Sequence, residues 1–402
     1  MKKVDKIKVR KYLRLAIIVV LSMMVGSIIT IFIKDDSKIN KNMLTNSKVK
    51  YNKDFEALYE AYNTIMKDYY KDVDSETLVD GALNGMMSSL GDQHTVYLNE
   101  EQKEDFDTEL KGSYYGIGAQ IQLIEENKVQ IIKIFDDSPA QKAKLQVGDV
   151  FVKIDGKSTD GLDANGVASI LRSDKVKKST VVVNRDGKEV EVKITKANVT
   201  MLSVSSEVLK EDNKKIGYIS VSIFGEKTYS QFVDALNKLE KDNIDSLIID
   251  LRGNSGGYLT TVTNMLELFS ERNQILYKIQ SNNGIKEYKA STNSKKNYKV
   301  VVLIDSNSAS ASEIMAAAMK ENYGATLVGK KTFGKGTVQT IKNLSNKTMI
   351  KYTIEKWLTP NGNNIDGEGI APDYDVDLTE EYKNNPVKDN DTQLQKAIEL
   401  LK

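Results

Sequence analysis

A run of nineteen residues without a charge, residues 15–33, limits the fold of this chain more than any other feature. It reads LAIIVVLSMMVGSIITIFI, and about 20 apolar residues cross a bilayer as one helix. Basic residues precede this run: Lys2, Lys3, Lys6, Lys8, Arg10, Lys11 and Arg14. The positive-inside rule therefore predicts a single-pass anchor with a cytoplasmic N-terminus, and it places the chain after residue 34 outside the cell membrane.

A cleaved signal peptide is the alternative for this segment. Signal peptides have a shorter apolar region, about 7–15 residues, which ends at a small-residue site resembling A-x-A. We find no such site here, and the length and flanks of the run favour an uncleaved anchor.

Composition excludes several kinds of chemistry. The chain has no cysteine, so disulfides, thiolate nucleophiles and cysteine-ligated metals are excluded. It has a single histidine, His94, so a zinc site built from two or three imidazoles is also excluded. The net charge is only +1, whereas nucleic-acid binders normally carry a clustered basic excess. We therefore expect no metal, no cofactor and no nucleic-acid partner.

Beyond the anchor, the residue pattern predicts a multidomain α/β protein. Apolar residues recur at helical spacing over residues 55–69 and 78–90, and such stripes are more often packing or dimer surface than ligand sites. Alternating strands and an Asp186-Gly187 hairpin turn follow. The predicted organisation is a cytoplasmic tail and anchor (1–34), a stalk and helical region (35–110), a mostly β unit (111–200), an α/β core (201–376) and a C-terminal helical segment (377–402).

In the α/β core, two strands are apolar throughout, which predicts burial on both faces. They are residues 247–251 and 300–304, and each is followed by a glycine- or serine-rich loop and a helix. Active sites of such sheets lie at the carboxyl ends of the strands. Reactive side chains are therefore expected in these loops.

Ser310 opens the helix after the second of these strands, and Glu313 follows three residues later. One interpretation is a capping box, in which the two side chains satisfy free amides at the helix start. The other is a nucleophilic hydroxyl at a helix N-terminus, where free amides and the dipole favour developing negative charge. The spacing alone does not separate the two.

A nucleophilic serine needs a base, and Lys335 is the candidate. His94 lies in a distant helical segment and is interpreted as structural, which leaves lysine as the nitrogen base. Lys335 is flanked by two glycines, a pattern that suits a tight loop. To act near pH 7, its pKa would have to fall from ~10.4 to ~7–8, which burial can achieve. The alternative is an ordinary solvated lysine.

The loop of residues 253–257 is the third candidate element. Its glycines let the backbone approach an anion, and its amides could stabilise a tetrahedral intermediate. The alternative is a plain tight turn after a strand.

These blocks resemble the C-terminal processing peptidases, the tail-specific proteases of the S41 serine peptidase group. The matching segments, in the family's order, are DLRGNSGG (250–257), SASASEI (308–314) and KTFGKGTVQ (331–339). SPAQKAKLQVGD (138–149) resembles a PDZ signature. The similarity runs from about residue 55 to the end of the chain, and it implies a PDZ domain followed by a ClpP/crotonase-like α/β peptidase core.

The resemblance also implies roles for individual residues. Ser310 matches the nucleophile, Lys335 the general base and Gln339 the residue that orients the lysine. The oxyanion hole would use the Ala311 amide and one amide from Gly256 or Gly257. The loop that receives a substrate's terminal carboxylate matches Gly116, Ile117, Gly118 and Ala119, a backbone arrangement suited to carboxylate capture.

The predicted function is that of a membrane-anchored serine endopeptidase acting on extracytoplasmic proteins with free C-termini. An inert PDZ adaptor is the main alternative, but it would have no need for a buried neutral lysine, which is costly to fold. An esterase or amidase on small molecules is disfavoured, because such substrates need no tail-binding module. The family also suggests a homodimer formed through the terminal helices.

Overall fold

The computed structural model of the protein describes residues 55–124, 128–173 and 175–402. The chain divides into two compact units, one ending at Ala82 and the other beginning at Leu83. The helices are α1 Glu56–Asp68, α2 Ser75–Ser88, α3 Glu100–Lys111, α4 Pro139–Lys142, α5 Ala164–Arg172, α6 Thr228–Lys241, α7 Leu259–Glu267, α8 Ala311–Ala318, α9 Glu380–Asn384 and α10 Thr392–Leu401. A π-helical turn, Met319–Tyr323, continues α8, and a 3₁₀ turn, Lys388–Asn390, precedes α10.

Within the described residues the strands form four sheets, two of them in the β unit. They are β1 Val96–Leu98, β2 Ser113–Gly116, β3 Ala119–Ile124, β4 Lys128–Ile134, β5 Val150–Ile154, β6 Lys157–Ser158, β7 Lys178–Arg185, β8 Lys188–Thr195, β9 Ala197–Thr200, β10 Val204–Glu211, β11 Lys214–Val221, β12 Ser246–Asp250, β13 Ile275–Ser281, β14 Gly284–Lys289, β15 Lys299–Ile304, β16 Thr326–Gly329, β17 Thr337–Asn343, β18 Met349–Leu358 and β19 Tyr374–Asp375.

The predicted anchor (15–33) and stalk (35–52) lie outside the described residues. Within the described ranges, no helix combines the length and apolarity needed to cross a membrane. The two predicted helices that follow are confirmed as α1 and α2. Helix α3 was not predicted, because its sequence is charged and has no apolar stripe; a capping box between Asn99 and Gln102 marks its start.

Between Ser113 and Thr200 the structure is mostly β, as the sequence predicts for this unit. Strands β3, β4, β5, β7 and β8 form one antiparallel sheet with β6 beside β5, while β2 and β9 pair separately. The predicted cap is present, since Ser138 Oγ accepts the Gln141 N–H at 3.2 Å where α4 begins. Asp186 and Gly187 have φ of +51° and +82° and close the β7–β8 hairpin. Helix α5 covers this sheet through Val167 and Leu171, which lie in its core.

The α/β core is built on a sheet ordered β10-β11-β12-β15-β16-β19, in which the pairings from β11 to β19 are parallel. Every residue of β12 is buried, as its apolar sequence predicted. Leu247 and Ile249 share one core with α6, α7 and α8, whereas Ile248 packs in another with Leu394 and Leu401 of α10. Strands β12 and β15 therefore end side by side between two helical layers.

A second sheet, ordered β1-β18-β13-β14 with β17 beside β18, supplies the other half of the site. Its β17 carries Gln339 opposite Thr353 of β18. Strand β1 pairs with the same β18 and brings the preceding turn, residues 92–95, against it. The sequence analysis had not predicted this sheet.

Candidate active site

Ser310 joins β15 to α8 in a backbone conformation that a simple cap does not need. Its φ is +55° and its ψ is −114°, whereas the ordinary cap Ser138 has φ −73° and ψ 160°. Non-glycine residues with positive φ are uncommon and concentrate at functional sites, where surrounding bonds hold them in place. Glu313 does accept the Ser310 N–H at 2.8 Å, as a capping box requires. A capping box alone does not require the strained backbone conformation of Ser310, so this conformation favours the interpretation of Ser310 as a nucleophile.

Glu313 connects this turn to the lysine loop. Its side chain is completely buried and accepts, besides the Ser310 N–H, a hydrogen bond from the Thr332 hydroxyl at 2.6 Å. It also accepts the backbone N–H groups of Gly334 at 2.8 Å and Lys335 at 2.9 Å. One carboxylate therefore fixes the start of α8 and the predicted base loop relative to each other.

Lys335 is mostly buried and not an ordinary solvated lysine. Burial, and after it the positive charge of Lys351, lower the pKa of its amine from 10.5 to about 8. The negative charges of Asp92 and Glu313 raise the pKa, but by less than burial lowers it. The backbone is held as well, since Trp357 Nε1 donates to the Lys335 carbonyl at 2.8 Å. The amine thus has the lowered pKa that the sequence analysis required of a general base.

Gln339 lies on β17, two residues beyond Thr337. Its Nε2 donates to Thr337 Oγ1 at 2.7 Å and to Thr353 Oγ1 at 3.3 Å. Both amide hydrogens are thereby engaged, and among the residues that the structure describes Oε1 has no hydrogen-bond donor. Oε1 is therefore the end of the amide left to accept a hydrogen bond, as the role that the family resemblance implies for Gln339 would require.

The two candidate glycines differ in where their amides point. The Gly256 N–H donates to Asn254 Oδ1 at 2.9 Å, and Asn254 is itself fully buried. In the described part of the chain, no acceptor bonds the N–H of Gly257 or of Ala311. A Cβ at Gly256 would lie 2.9 Å from Ser310 Cβ and 3.2 Å from Ala311 N, so this loop packs directly on the start of α8.

His94 lies elsewhere than the sequence analysis expected. The sequence predicts a residue remote from the site, but the His94 ring centroid lies 6.2 Å from that of Phe333 in the lysine loop. Burial lowers the pKa of His94, and the charge of Lys335 lowers it further. The expectation was wrong because β1 pairs with β18 and carries the preceding turn into the site.

Three of the four predicted carboxylate-binding residues line a groove between β3 and α5. The groove encloses about 410 Å³ and is lined by Gly116, Ile117 and Ala119, among others. The Ile117 carbonyl accepts the Ala140 N–H at 2.7 Å, and the Ile117 side chain is buried, so only its backbone faces a ligand. Gly118 is required at its position, since its φ is +76° and a Cβ would lie 2.3 Å from Ser138 Cβ.

Tyr114 lines the same groove. Its ring lies against Gly116, and the Arg172 guanidinium lies over the ring at 5.5 Å from the centroid. Burial raises the pKa of the Tyr114 phenol, while the charge of Arg172 and hydrogen bonds from the N–H groups of Gly118 and Ala119 lower it. The phenol oxygen therefore faces the amides that would receive a terminal carboxylate.

Comparison with known proteins identifies the chain's relatives. Residues 215–376 match the family model "Peptidase family S41", residues 134–185 a PDZ domain model, and residues 21–102 the model "Activating protease CtpB N-terminal domain". The carboxy-terminal processing protease CtpA of Bacillus subtilis (strain 168) is 36% identical over 386 residues, which cover 95% of this chain and 81% of that protein. The chain belongs to the S41 peptidase family.

A second relative of this S41 peptidase is the carboxy-terminal processing protease CtpB of Bacillus subtilis (strain 168), 37% identical over 84% of this chain and 70% of that protein. A solved S41 protease structure from Bacteroides fragilis NCTC 9343 has the same fold, with a TM-score of 0.52 at 15% identity, over 83% of this chain and 90% of that chain. The protein is therefore a serine peptidase of the C-terminal processing family with a PDZ domain.

Sequence reasoning missed the network that holds the glycine loop of this S41 peptidase. Arg252 pairs with Asp250 at 2.6 Å and with Asp391, the N-cap of α10, at 2.8 Å. Gln393 also accepts from Arg252 at 3.0 Å, and Tyr218 donates its hydroxyl to Asp250 at 2.7 Å. The quoted block DLRGNSGG contains two of these residues, but nothing in the sequence indicated a partner in the C-terminal segment.

Proposed function

We propose that this S41 peptidase is a membrane-anchored endopeptidase that recognises C-terminal tails of extracytoplasmic proteins and cleaves peptide bonds with Ser310 and Lys335. The observation that carries the proposal is the buried Glu313 carboxylate, which joins the strained Ser310 turn to the loop of an amine with a lowered pKa. An inert core would have no use for either feature, since both are costly to fold.

In the proposed mechanism, neutral Lys335 takes the proton of the Ser310 hydroxyl as its oxygen attacks the scissile carbonyl. With a pKa of about 8, roughly a tenth of the amine is neutral at pH 7, against roughly one part in three thousand at the ordinary value of 10.5. The resulting ammonium then protonates the leaving amine, and the acyl-serine remains. Water activated by the same amine hydrolyses the ester and restores both groups.

The developing oxyanion needs donors aimed at it, and we assign these to the N–H groups of Gly257 and Ala311. Gly256 is the less suitable of the two glycines, because its N–H already donates to Asn254. A pair of preorganised amides typically lowers the barrier by a few kcal/mol.

For tail recognition, we propose that the carboxylate of an extended C-terminus binds the N–H groups of Gly118 and Ala119, with the tail pairing along β3. Binding could also act as a gate that aligns Lys335 with Ser310. Deleting residues 112–198 should then abolish cleavage or free it from dependence on the tail. Tail-dependent cleavage that survives this deletion would rule the gate out.

For location, we propose that residues 15–33 anchor the protein in the cell membrane as a single span, with the catalytic part outside the cytoplasm. Externally added protease should digest the catalytic part in cells whose outer layers are permeabilised but whose membrane is intact. Protection from that protease would place the catalytic part in the cytoplasm and refute the orientation.

For assembly, we propose a homodimer that covers exposed apolar residues of the first helix. Those left exposed on or beside α1 are Phe55, Leu58, Tyr59, Ile65, Met66 and Tyr69. Contiguous exposed apolar surface of this kind marks an interaction site. Sedimentation of the detergent-solubilised protein should give twice the chain mass, and replacing Leu58 and Met66 with Glu should give a monomer.

The catalytic assignment is tested on an unfolded protein substrate with an apolar C-terminus. Ser310→Ala and Lys335→Ala should both lose cleavage, and Ser310→Ala should still bind the tail. His94→Gln tests the imidazole, whose ring lies beside Phe333 of the lysine loop, and it should retain most of the activity because Lys335 is the proposed base. Equal cleavage by wild type and both catalytic variants would refute the mechanism, and loss of activity only in His94→Gln would transfer the role of base to the imidazole.

A further inference from the structure

Asn254 lies in the glycine loop (residues 253–257), is completely buried, and bonds to segments that are far apart in the sequence. Its Nδ2 donates to the carbonyl of Val221, the last residue of β11, at 2.9 Å. Its Oδ1 accepts the N–H of Gly256 at 2.9 Å. Its backbone carbonyl accepts the Ala309 N–H at 3.0 Å and the Ser312 hydroxyl at 2.8 Å. Asn254 therefore joins β11 and the glycine loop to both flanks of the candidate nucleophile.

The two partners of the Asn254 side chain are backbone groups of fixed polarity. A carbonyl oxygen can only accept a hydrogen bond, and a backbone N–H can only donate one. The amide therefore has a single orientation that satisfies both, with Nδ2 toward Val221 and Oδ1 toward Gly256. Among uncharged side chains of this length, only that of asparagine ends in both a donor and an acceptor. The site thus requires asparagine for its hydrogen bonds and not only for its size.

These bonds also fix the peptide group between Gly256 and Gly257. Asn254 holds the N–H of Gly256, and the Gly256 carbonyl accepts the Phe224 N–H at 2.8 Å. Gly256 itself lies against Ser310, since a Cβ added to it would be 2.9 Å from Ser310 Cβ. In a trans peptide a carbonyl and the N–H that follows it point in opposite directions. The Gly257 N–H is therefore directed away from Phe224, in a loop that packs on the nucleophile.

We propose that Asn254 is a positioning residue for the oxyanion hole, which holds the Gly257 N–H and the Ala311 N–H in a fixed arrangement beside Ser310. Its side chain fixes the loop that carries the first amide, and its carbonyl bonds the turn that carries the second. The proposal rests on the proposed function, which assigns the oxyanion to these two amides. The groups that Asn254 bonds do not react, so its effect on the reaction passes through the two amides.

A positioning role predicts a loss that is specific to the transition state. Preorganised amides stabilise the oxyanion, which is absent from the bound substrate. Misalignment should therefore lower kcat, leave KM nearly unchanged, and weaken the binding of a transition-state analogue by about the same factor. A residue that only stabilises the fold would instead lower the urea midpoint and leave the kcat of the folded protein unchanged.

The first test is Asn254→Ala in the full-length protein, assayed on the tailed substrate. This change leaves the Val221 carbonyl and the Gly256 N–H without their side-chain partner, and kcat should fall roughly ten- to hundredfold. A peptide boronic acid, whose boron binds the Ser310 oxygen as a tetrahedral adduct, should lose affinity by a similar factor. The same peptide with a C-terminal amide in place of the boronic acid should bind as tightly as it does to wild type.

Asn254→Asp is the conservative variant, and pH decides whether its carboxyl replaces the amide. Ionised, the carboxylate only accepts and opposes the Val221 carbonyl; protonated, it donates to Val221 and accepts from Gly256, as the amide does. Burial favours the protonated form. The kcat of Asn254→Asp, divided by that of wild type, should therefore rise as the pH falls, and the same ratio for Asn254→Ala should not change with pH. The charged groups on the adjoining segments are common to all three proteins: Asp250, Arg252, Asp305, Glu313 and Lys335.

Leu236→Ala is the control for lost stability, because Leu236 is buried on α6 and takes no part in these bonds. It should lower the urea midpoint and leave kcat unchanged. The proposal is refuted if Asn254→Ala behaves in the same way, or if its kcat falls while its affinity for the boronic acid does not. It is also refuted if the kcat ratio of Asn254→Asp is as insensitive to pH as that of Asn254→Ala.

A second variant decides if Asn254→Ala fails to fold. Ser312→Ala removes one of the two hydrogen bonds to the Asn254 carbonyl, so kcat and the affinity for the boronic acid should both fall roughly two- to tenfold with KM unchanged. Wild-type values for both would refute the positioning role. If Ser310→Ala cleaves as well as wild type, the proposed function itself fails, whatever the Asn254 variants show.

Discussion

Replacing Lys335 by Met should make the protein more stable at neutral pH while abolishing its activity. The pKa of this amine is lowered from its ordinary 10.5 to about 8, chiefly by burial. A difference of about 2.5 units corresponds to about 3 kcal/mol, at about 1.4 kcal/mol per unit. Below pH 8 the folded protein must hold a charged amine in a site that disfavours it, and Met removes that cost.

The sign of the pH dependence follows from proton binding. Between pH 8 and 10.5 the unfolded chain binds the lysine proton and the folded protein does not, so wild-type stability rises with pH across this window. The free energy of unfolding of Lys335→Met should therefore exceed that of wild type by up to about 3 kcal/mol at pH 7, and this difference should vanish above pH 10.5.

Urea unfolding at pH 7 and pH 10.5, followed by the fluorescence of Trp357, measures this difference in the free energy of unfolding. Trp357 is the single tryptophan of the chain, it is buried, and it bonds the Lys335 carbonyl. Ser310→Ala, which removes a hydroxyl and no charge, is the control for general loss of function. The reasoning is refuted if Lys335→Met is no more stable than wild type at pH 7, or if the gain is the same at both pH values.

Three further changes test other parts of the site. Glu313→Gln should lower kcat at least tenfold, because a neutral amide accepts hydrogen bonds from the backbone N–H groups of Ser310 and Lys335 less strongly than a carboxylate does. An unchanged kcat in a peptidase assay would contradict this. Asp391→Asn removes one of the two carboxylates that pair with the buried Arg252 guanidinium, so the free energy of unfolding measured in urea should fall by about 3 kcal/mol. An unchanged urea midpoint would show that pairing with Asp250 alone is sufficient. Tyr114→Phe removes the phenol that faces the Gly118 and Ala119 amides, so a labelled C-terminal peptide should bind roughly two- to tenfold more tightly by anisotropy. Tyr115→Phe, on the same strand, is the matched control. Equal affinities in the two variants would refute the reasoning that the Tyr114 phenol competes with a terminal carboxylate for these two amides.

Local structure could be read from the sequence because its causes are local. The apolar strand that became β12, the Ser138 cap and the Asp186-Gly187 turn each depend on residues within a few positions of one another. Ser310 and Lys335 could be nominated because both lie in short loops with recognisable spacing and because the single histidine left few alternatives. Their roles remain predictions.

The sheet formed by β17 and β18 was missed for a physical reason. Its strands are rich in Lys and Thr, and most of their residues are only partly buried, so neither shows a clear apolar alternation. Such strands are stabilised by pairing with their neighbours, which the sequence does not record. The position of Gln339 relative to Thr353 therefore followed only from the fold.

By itself, the sequence determined the apolar strands and the order of the main units, the candidate nucleophile and base, and the glycine loops. Only the tertiary structure decided what surrounds them. The Thr95–Thr353 bond spans 258 residues and the Arg252–Asp391 pair spans 139, and no periodicity or spacing indicates contacts over such distances. The pKa of Lys335 was decided in the same way, because burial depends on which distant segments pack around the amine.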